Sequence, residues 1–423
     1  RARPARPNPR RLRARRLVGS MANPTPDLLD RRARLLGPAY RLFYETPVHI
    51  VRGEGAWLYD ADGRRYLDMY NNVPHVGHCH PHVVEAITKQ VATLNTHTRY
   101  LHDTVLEYAE RLLAKCEDDL DIAMFCCTGS EANELAMRIA RTATGGTGFV
   151  VTSYAYHGNS QATYEITTAD IPADRIPPYV ATVPVPDPYR GPYGADGAAC
   201  DADIRQAFAT LEGRGVKPAA FIIDTIASSG AVIEPPPGYL ATAARIAREA
   251  GALFIADEVQ PGFGRTGRTF WGYQADGLVP DIVTMGKPMG NGHPLAGVVT
   301  RRELVDEFGR TGDYFNTFGG NPVSCAAGLA VLDVIEDEGL IEGAKTTGDR
   351  LLAGLRELAS KAEAIGDVRG SGLFLGVELV SDRESKTPDT DLAKRVMNGM
   401  RSEGVLIGRT GPGENVLKIR PPM

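Results

Sequence analysis

A single lysine, Lys287, follows a short apolar run in the segment "DIVTMGKPMGNGHP" at residues 281–294. Charged side chains are rarely buried unless they are paired, so one interpretation is a lysine that extends toward water. The other interpretation is a lysine retained for covalent chemistry with a carbonyl compound. The lysine alone does not distinguish the two, so its neighbours in the fold have to be considered.

Another apolar run, "IAMFCC", is followed by "TGSEANELAMRIA". Gly129 allows a tight turn, and Ser130 is a good N-cap for the periodic helix that is predicted to begin at Glu131. The free N–H groups and the dipole at a helix start form a site for an anion such as a phosphate. An ordinary capped helix is the alternative interpretation.

Two further runs end in polar residues that could take part in chemistry. Asp257 and Glu258 follow "ALFIA", and only one of them can face a site because side chains alternate along a strand. An acid there could bind a metal, act as a base, or hold a proton on a ring nitrogen. "YAYHGNS" follows "GFVVTS", where Tyr156, with His157 beside it, could stack on a planar ligand or be a half-buried core residue.

These four strand ends supply, in chain order, a phosphate site, an aromatic ring, an acid and a lysine. The combination matches one cofactor, pyridoxal 5'-phosphate. The helix start would bind its phosphate, Tyr156 would stack on its ring, Asp257 would keep the ring nitrogen protonated, and Lys287 would form the covalent link.

The four histidines of the segment "HVGHCHPH" suggest a different hypothesis, in which they bind zinc and the protein is a zinc enzyme. Gly77 and Pro81 break any helix that would align the four imidazoles, and no set of carboxylates or thiolates accompanies them. A structured loop is therefore favoured, and no metal is predicted.

The helices and strands predicted around these residues indicate an α/β protein. From about Pro81 to Leu304, helical stretches alternate with short continuous apolar runs, which is typical of a parallel sheet covered on both faces. Ligands of such sheets bind at the carboxyl ends of the strands. Before this region, "HIVRGEGAWLYDADGRRYLDMY" is typical of an antiparallel hairpin, and after it the sequence predicts a second small α/β domain.

The predicted organisation has four parts: residues 1–20, 21–80, 81–320 and 321–423. Residues 1–20 contain eight arginines, no acid and almost nothing apolar, so they are predicted to be a disordered basic leader or an added expression tag. Residues 21–80 are expected to begin the small domain, residues 81–320 to form the large cofactor-binding domain, and residues 321–423 to complete the small domain.

Composition excludes several function classes. The formal net charge is −5, and without the eight arginines of the first segment it is −13, which argues against a nucleic-acid partner. No apolar run is as long as the ~20 residues of a membrane span. Six scattered cysteines without a C-x-x-C motif are typical of a reducing compartment, so a cytoplasmic protein is predicted.

The ordered segments "TGSEAN", "YHG", "DEVQPGFGRTG", "MGK" and "FNTFGGNP" resemble the class III aminotransferases, from about Pro47 to Met423. These are fold-type I pyridoxal-phosphate enzymes. The resemblance implies a large domain with a mostly parallel seven-stranded sheet and a small α/β domain built from both chain ends. It also implies a homodimer, or a tetramer, with shared active sites.

By this resemblance the cofactor-binding residues are Gly129, Ser130, Tyr156, Asp257, Gln260, Lys287 and Thr317. Gln260 would lie near the ring hydroxyl, and Thr317 would reach the phosphate bound by the neighbouring subunit. Lys287 and Asp257 would be the catalytic residues.

Two positions depart from the usual aminotransferase pattern. Asp224-Thr225 stands where the family usually has Glu-Pro, and Lys418 stands where an arginine usually grips a substrate carboxylate. A lysine is a point charge that fits a planar carboxylate poorly. Segments such as "NVPHVGHCHP", "LNTHTRYLHD" and "VLKIRPPM" resemble the narrower ethanolamine-phosphate phospho-lyase and phosphohydroxylysine phospho-lyase branch.

The predicted reaction is therefore phosphate elimination from a small phosphorylated amine, with a class III omega-aminotransferase as the alternative. A phosphate leaving group requires cationic or hydrogen-bonding partners. The candidates for substrate binding are Arg99, Lys418, Asn72 and His75, and Arg99 could instead form a surface salt bridge. Tyr40 and Tyr44 are expected to line the entrance.

Overall fold

The computed structural model of the protein describes residues 26–423. These residues form eleven α-helices: α1 Pro26–Leu36, α2 Pro81–Thr93, α3 Asp103–Leu113, α4 Gly129–Thr144, α5 Gln161–Tyr164, α6 Asp201–Gly213, α7 Tyr239–Glu249, α8 Arg302–Thr311, α9 Pro322–Asp337, α10 Leu340–Lys361 and α11 Thr390–Ser402. Their strands are β1 Ile50–Glu54, β2 Trp57–Asp60, β3 Arg65–Asp68, β4 Ile122–Cys126, β5 Gly148–Thr152, β6 Val180–Val183, β7 Pro218–Asp224, β8 Leu253–Asp257, β9 Ile282–Met285, β10 Ala296–Thr300, β11 Ile365–Ser371, β12 Phe374–Asp382, β13 Thr387–Pro388, β14 Val405–Leu406, β15 Gly408–Thr410 and β16 Val416–Ile419. The predicted leader or tag at residues 1–20 lies outside the described residues.

The largest sheet has seven strands in the order β4-β10-β9-β8-β7-β5-β6. Only β10 runs antiparallel to its neighbours, and the pairs from β9 to β6 are all parallel. The predicted mostly parallel sheet is therefore confirmed. The apolar pattern did not predict β6. Its four residues, "VATV", include an exposed threonine that interrupts the apolar run.

Both faces of this sheet are covered, as its continuous apolar strands predict. Phe221 and Ile223 of β7 pack into one hydrophobic core, and Ile222 between them packs into the other. Helix α4 belongs to the second core, whereas α6, α7 and α9 belong to the first. The strand ends are thereby fixed between two layers of helices.

Two smaller sheets join distant parts of the chain. The first has the order β1-β2-β3-β14, and the second has the order β11-β12-β16-β15 with β13 on β12. The hairpin predicted around "DADG" is the β2–β3 pair. Strand β14 pairs in parallel with β3, so a sheet built from both chain ends is confirmed. The boundaries after residues 80 and 320 remain predictions.

The described helices contain no segment that is both long and apolar enough to cross a bilayer.

All six cysteines are free thiols.

Candidate active site

The start of α4 lies beside the end of β4, and a capping box fixes it. The Thr128 hydroxyl accepts from the Glu131 N–H at 3.2 Å, and the Glu131 carboxylate accepts from the Thr128 N–H at 2.9 Å. The predicted cap at Ser130 is wrong, because the Thr-x-x-Glu pairing places the cap two residues earlier. Gly129 and Ser130 thus occupy the first turn, where their N–H groups have no intrahelical acceptor.

The loop after β5 passes closely over this helix start. A Cβ on Gly158 would lie 2.6 Å from the Ser130 hydroxyl, so only glycine fits this approach. The Ser130 hydroxyl donates to Asn159 Oδ1 and accepts from the Asn159 N–H, both at 3.1 Å. The helix start and the loop that carries Tyr156 therefore form one wall.

Asp257, at the end of β8, is held by two buried side chains. Asn133 Nδ2 donates to its Oδ2 at 2.8 Å, and His157 Nδ1 lies 2.8 Å from the same oxygen. Asn133 also accepts from the Thr284 hydroxyl at 2.6 Å. Sequence reasoning missed the role of Asn133, although its position one turn after Gly129 places it on the same helix face.

Glu258 faces the opposite side, as strand alternation predicts. Its carboxylate accepts from the Thr225 hydroxyl at 2.7 Å and from the N–H groups of Gly272 and Tyr273 at 2.7 and 2.9 Å. Burial raises the pKa of Glu258 to about 7. It is a structural acid, whereas Asp257 is the acid of the site.

Lys287 follows β9 and faces the same space as Asp257. Burial, and next the charge of Arg420, lower the pKa of its ammonium from 10.5 to about 8, against the opposing effect of Asp257 and Asp224. Lys287 is half-buried and forms no hydrogen bond or ion pair with the residues in 26–423. A desolvated lysine without a partner is suited to react as a neutral amine.

A cavity of about 120 Å³ connects these groups. Its lining is Gly129, Ser130, Asn133, Tyr156, His157, Gly158, Asp224, Asp257, Val259, Gln260 and Lys287. Tyr156 is 38% exposed, with its ring available to a ligand. A larger apolar cavity, of about 680 Å³ beside Leu351 and Pro421, contains no acid, so chemistry rather than size assigns the site.

Hydrogen bonds between buried polar groups connect Arg420 to Gln260 and Asp224, which line the cavity. Arg420 Nη1 donates to Gln260 Oε1, Gln260 Nε2 donates to the Ser228 hydroxyl, and that hydroxyl donates to Asp224. Burial and the neighbouring Asp257 raise the pKa of Asp224. Arg420 was not among the predicted site residues.

The predicted substrate residue Lys418 does not line this cavity. It is buried on β16, and its Nζ donates to the Ser228 carbonyl at 2.9 Å. Burial and then Arg420 lower the pKa of Lys418 well below its usual value.

Asn72 and His75 also lie outside the cavity lining. His75 is buried, with Nε2 2.8 Å from the Phe263 carbonyl and Nδ1 2.9 Å from Arg265 Nη2, so it has no ring nitrogen left for a ligand. Asn72 is buried with no hydrogen-bond partner for either amide atom among the described residues.

Of the remaining candidates, Arg99, Thr317 and Tyr40 are exposed, and Tyr44 is half-buried against the small-domain core. The Arg99 guanidinium stacks on the Phe315 ring, 4.0 Å from its centroid, and Thr317 is exposed two residues later. Tyr44 donates to the Ile407 carbonyl at 2.9 Å, and Tyr40 is exposed.

The histidine segment forms no common site. His78 contacts Asp68 at 2.7 Å, His80 contacts Glu338 at 3.0 Å and His82 contacts Asp333 at 2.8 Å. Within residues 26–423, no three His, Cys, Asp or Glu side chains are grouped to hold a metal ion.

The "Aminotransferase class-III" family model matches residues 42–423. The chain belongs to the class III aminotransferase family. Enzymes of this family depend in general on pyridoxal phosphate, and their fold-type I architecture is the one described above.

Relatives within the family have different names. The chain is 43% identical to "Alanine--glyoxylate aminotransferase 2-like" from Drosophila melanogaster, over 96% of this chain and 85% of that protein. It is 40% identical to "Ethanolamine-phosphate phospho-lyase homolog 1" from Caenorhabditis elegans, over 94% and 89%. A phospholyase from Arthrobacter, solved in complex with phosphoethanolamine, is 46% identical with a TM-score of 0.90, over 94% of both chains.

Proposed function

We propose that this protein is a pyridoxal-phosphate-dependent phospho-lyase that converts O-phosphoethanolamine and water to acetaldehyde, ammonia and phosphate. The observation that carries the proposal is Lys287, a half-buried amine without a partner among residues 26–423, facing an acid held by Asn133 and His157. The likeness to the phospholyase from Arthrobacter supports the choice of substrate.

The residues of the cavity fit pyridoxal phosphate. The first-turn N–H groups of Gly129 and Ser130 suit its phosphate, and the exposed part of the Tyr156 ring suits stacking. Asp257, an acceptor directed into the cavity, suits a protonated ring nitrogen. Gln260 borders the same space.

When bound, pyridoxal phosphate supplies an aldehyde that captures amines and a protonated ring that accepts an electron pair. Lys287 would hold this group covalently and would be released when the substrate amine binds. Its Nζ, as a neutral amine, would remove the proton from the carbon beside the substrate nitrogen. Asp257 would hold the proton on the ring nitrogen, and Asn133 and His157 orient Asp257.

Loss of that proton leads to one of two outcomes. If a phosphate is attached to the next carbon, it would leave with the electron pair of the carbon–oxygen bond, and water would release the two-carbon product as acetaldehyde and ammonia. An aminotransferase would instead keep the amino group and need a keto acid to restore the enzyme. The position that usually holds a carboxylate-gripping arginine is occupied by Lys418, whose Nζ already donates to Ser228, and this favours the lyase.

An aminotransferase remains the second candidate, because a relative at 43% identity carries that name. The decisive experiment mixes purified holoenzyme with O-phosphoethanolamine and no keto acid. We expect many phosphates released per active site and an unchanged cofactor spectrum. A single shift to the pyridoxamine form without phosphate release would establish the aminotransferase instead.

The proposal includes a cytoplasmic homodimer with shared active sites. Tyr100, Leu101, Phe315 and Phe318 form an exposed apolar patch beside Arg99 and Thr317, and Leu101 is 97% exposed. Such a patch is typical of a protein interface. Thr317 would contact the cofactor phosphate of the neighbouring subunit, and Arg99 would act at the same neighbouring site.

A further inference from the structure

We propose that Arg420 binds the phosphate group of the substrate and stabilises its charge as it leaves. This inference rests on the proposed function, because it names the residue that recognises a phosphorylated amine at the same site. Neither Arg420 nor any of the four substrate residues predicted from the sequence lines the cavity of Lys287, but Arg420 is bonded directly to Gln260, which does.

The Arg420 side chain is a buried cation that forms no ion pair with a carboxylate among the described residues. The residue is 7% exposed, its Nη1 donates to the neutral Gln260 amide, and its guanidinium lies 4.6 Å from the centroid of the Tyr70 ring. Its Nε–H has no acceptor among residues 26–423. Burial lowers the pKa of Arg420, against the opposing effect of Tyr70, Asp224 and Asp68.

Two other buried arginines of the protein have more direct partners than Arg420. Arg369 Nη1 forms ion pairs with Asp367 at 2.7 Å and with Glu378 at 2.8 Å. Arg265 has no carboxylate partner, but it donates to the Leu373 and Pro421 carbonyls and to His75. Asp224 and Asp68 act on Arg420 only through their charge, without an ion pair. Buried charges are normally paired directly, so an anion that arrives with a ligand would supply the direct partner.

The position of Arg420 suits a substrate anion. It is bonded to Gln260, which lines the cavity, and its charge lowers the pKa of Lys287, which places it near the reactive amine. Lys418 lies close enough to add positive potential, although its own hydrogen bond goes to Ser228. The start of α4, which suits the cofactor phosphate, is formed by Gly129 and Ser130 instead, so two phosphates would have separate sites.

The chemistry also matches. A guanidinium presents a planar fork of N–H donors that binds phosphate oxygens in a bidentate manner. When the carbon–oxygen bond breaks, its electron pair stays with the phosphate oxygen, and a fixed cation beside that oxygen favours the departure.

The test is a spectroscopic binding titration of the holoenzyme. The phosphate probe is 3-aminopropylphosphonate, which has no carbon–oxygen bond to eliminate, with butylamine as the probe without an anionic group and 4-aminobutyrate as the carboxylate probe. We expect the wild type to prefer the phosphonate over butylamine by about tenfold or more. Arg420→Gln should abolish this preference and leave the butylamine Kd within about twofold, since an amine without an anionic group does not contact the guanidinium.

Arg409→Gln is the matched control, because Arg409 belongs to the same small sheet and has a carboxylate partner, Glu414. It should keep the wild-type preference. Arg420→Lys retains the charge but loses the fork, so it should keep only part of the preference; this variant decides the question if Arg420→Gln does not fold.

An unchanged preference in both Arg420 variants, or an equal weakening of all three probes, would overturn the assignment. A larger loss for 4-aminobutyrate than for the phosphonate would show that Arg420 recognises carboxylates. These outcomes are independent of whether the wild type releases phosphate from O-phosphoethanolamine, which tests the proposed function separately.

Discussion

Asp224 and Asp257 are register partners at the carboxyl ends of the neighbouring strands β7 and β8, and both border the same cavity. Their environments differ. Asp257 is held by Asn133 and His157, whereas Asp224 accepts from the N–H and the hydroxyl of Ser228. Burial and the charge of Asp257 raise the pKa of Asp224, so the site separates two acids into two roles. Asp257 would pair with the cofactor, and Asp224 would balance the cations near Ser228.

Replacing Lys287 by alanine removes both the covalent attachment and the base. We expect Lys287→Ala to lower turnover by at least about a thousandfold, because general-base catalysis alone contributes ~10²–10⁴. Some pyridoxal phosphate should remain bound through the α4 start and Asp257. Phosphate release and the cofactor absorbance would be measured on the same sample, and a fully active variant would refute the role of Lys287.

Asp257→Asn should weaken the electron sink strongly, because a neutral amide does not hold the proton on the ring nitrogen. The measurement is kcat together with the absorbance of bound cofactor. Glu258→Gln is the matched control, since Glu258 is buried one residue later on the opposite face. This control should lose stability and keep most of its kcat, and equal losses of kcat in the two variants would remove the distinction between the two acids.

The desolvated ammonium of Lys287 should destabilise the apoprotein. Because its pKa falls from 10.5 to about 8 on folding, Lys287→Met should raise the free energy of unfolding of apoprotein by about 3 kcal/mol below pH 8. The folded state loses the proton first as pH rises, so the wild type recovers stability between the two pKa values. The difference should shrink to about 1 kcal/mol at pH 9.5 in urea unfolding. A difference that does not change with pH would mean that hydrophobic packing, and not charge burial, causes it.

Thr317 should act on the neighbouring subunit. Thr317→Ala alone should weaken cofactor binding by about tenfold, as expected when a phosphate contact of roughly 1.4 kcal/mol is lost. In a co-expressed hybrid of Lys287→Ala and Thr317→Ala subunits, one of the two sites would contain both native residues. Half of the sites in the hybrid should therefore bind cofactor with wild-type affinity. If Thr317 served its own subunit, neither site of the hybrid would recover.

More of the predicted cofactor residues than of the predicted substrate residues line the cavity of Lys287. Lys287, Asp257, Tyr156 and Gly129 follow individual strands, so strand periodicity was enough to bring them to one edge of the sheet. The Ser130 cap was wrong because a local Thr-x-x-Glu pairing competed with it. Arg420 was missed, although residues two apart share a strand face and Lys418 had already been considered. His75 was misjudged because its contacts with Phe263 and Arg265 depend on loops distant in the chain.

The parallel pairing of β14 with β3 has a consequence for biosynthesis. Strands Trp57–Asp60 and Arg65–Asp68 leave the ribosome early, but their sheet is completed by Val405–Leu406, and Tyr44 bonds to Ile407 across a separation of 363 residues. The seven-stranded sheet has all its strands once Thr300 is translated. During synthesis the edge of β3 therefore stays unpaired until Val405–Leu406 is made. An unpaired strand edge of this kind is expected to bind chaperones during that time.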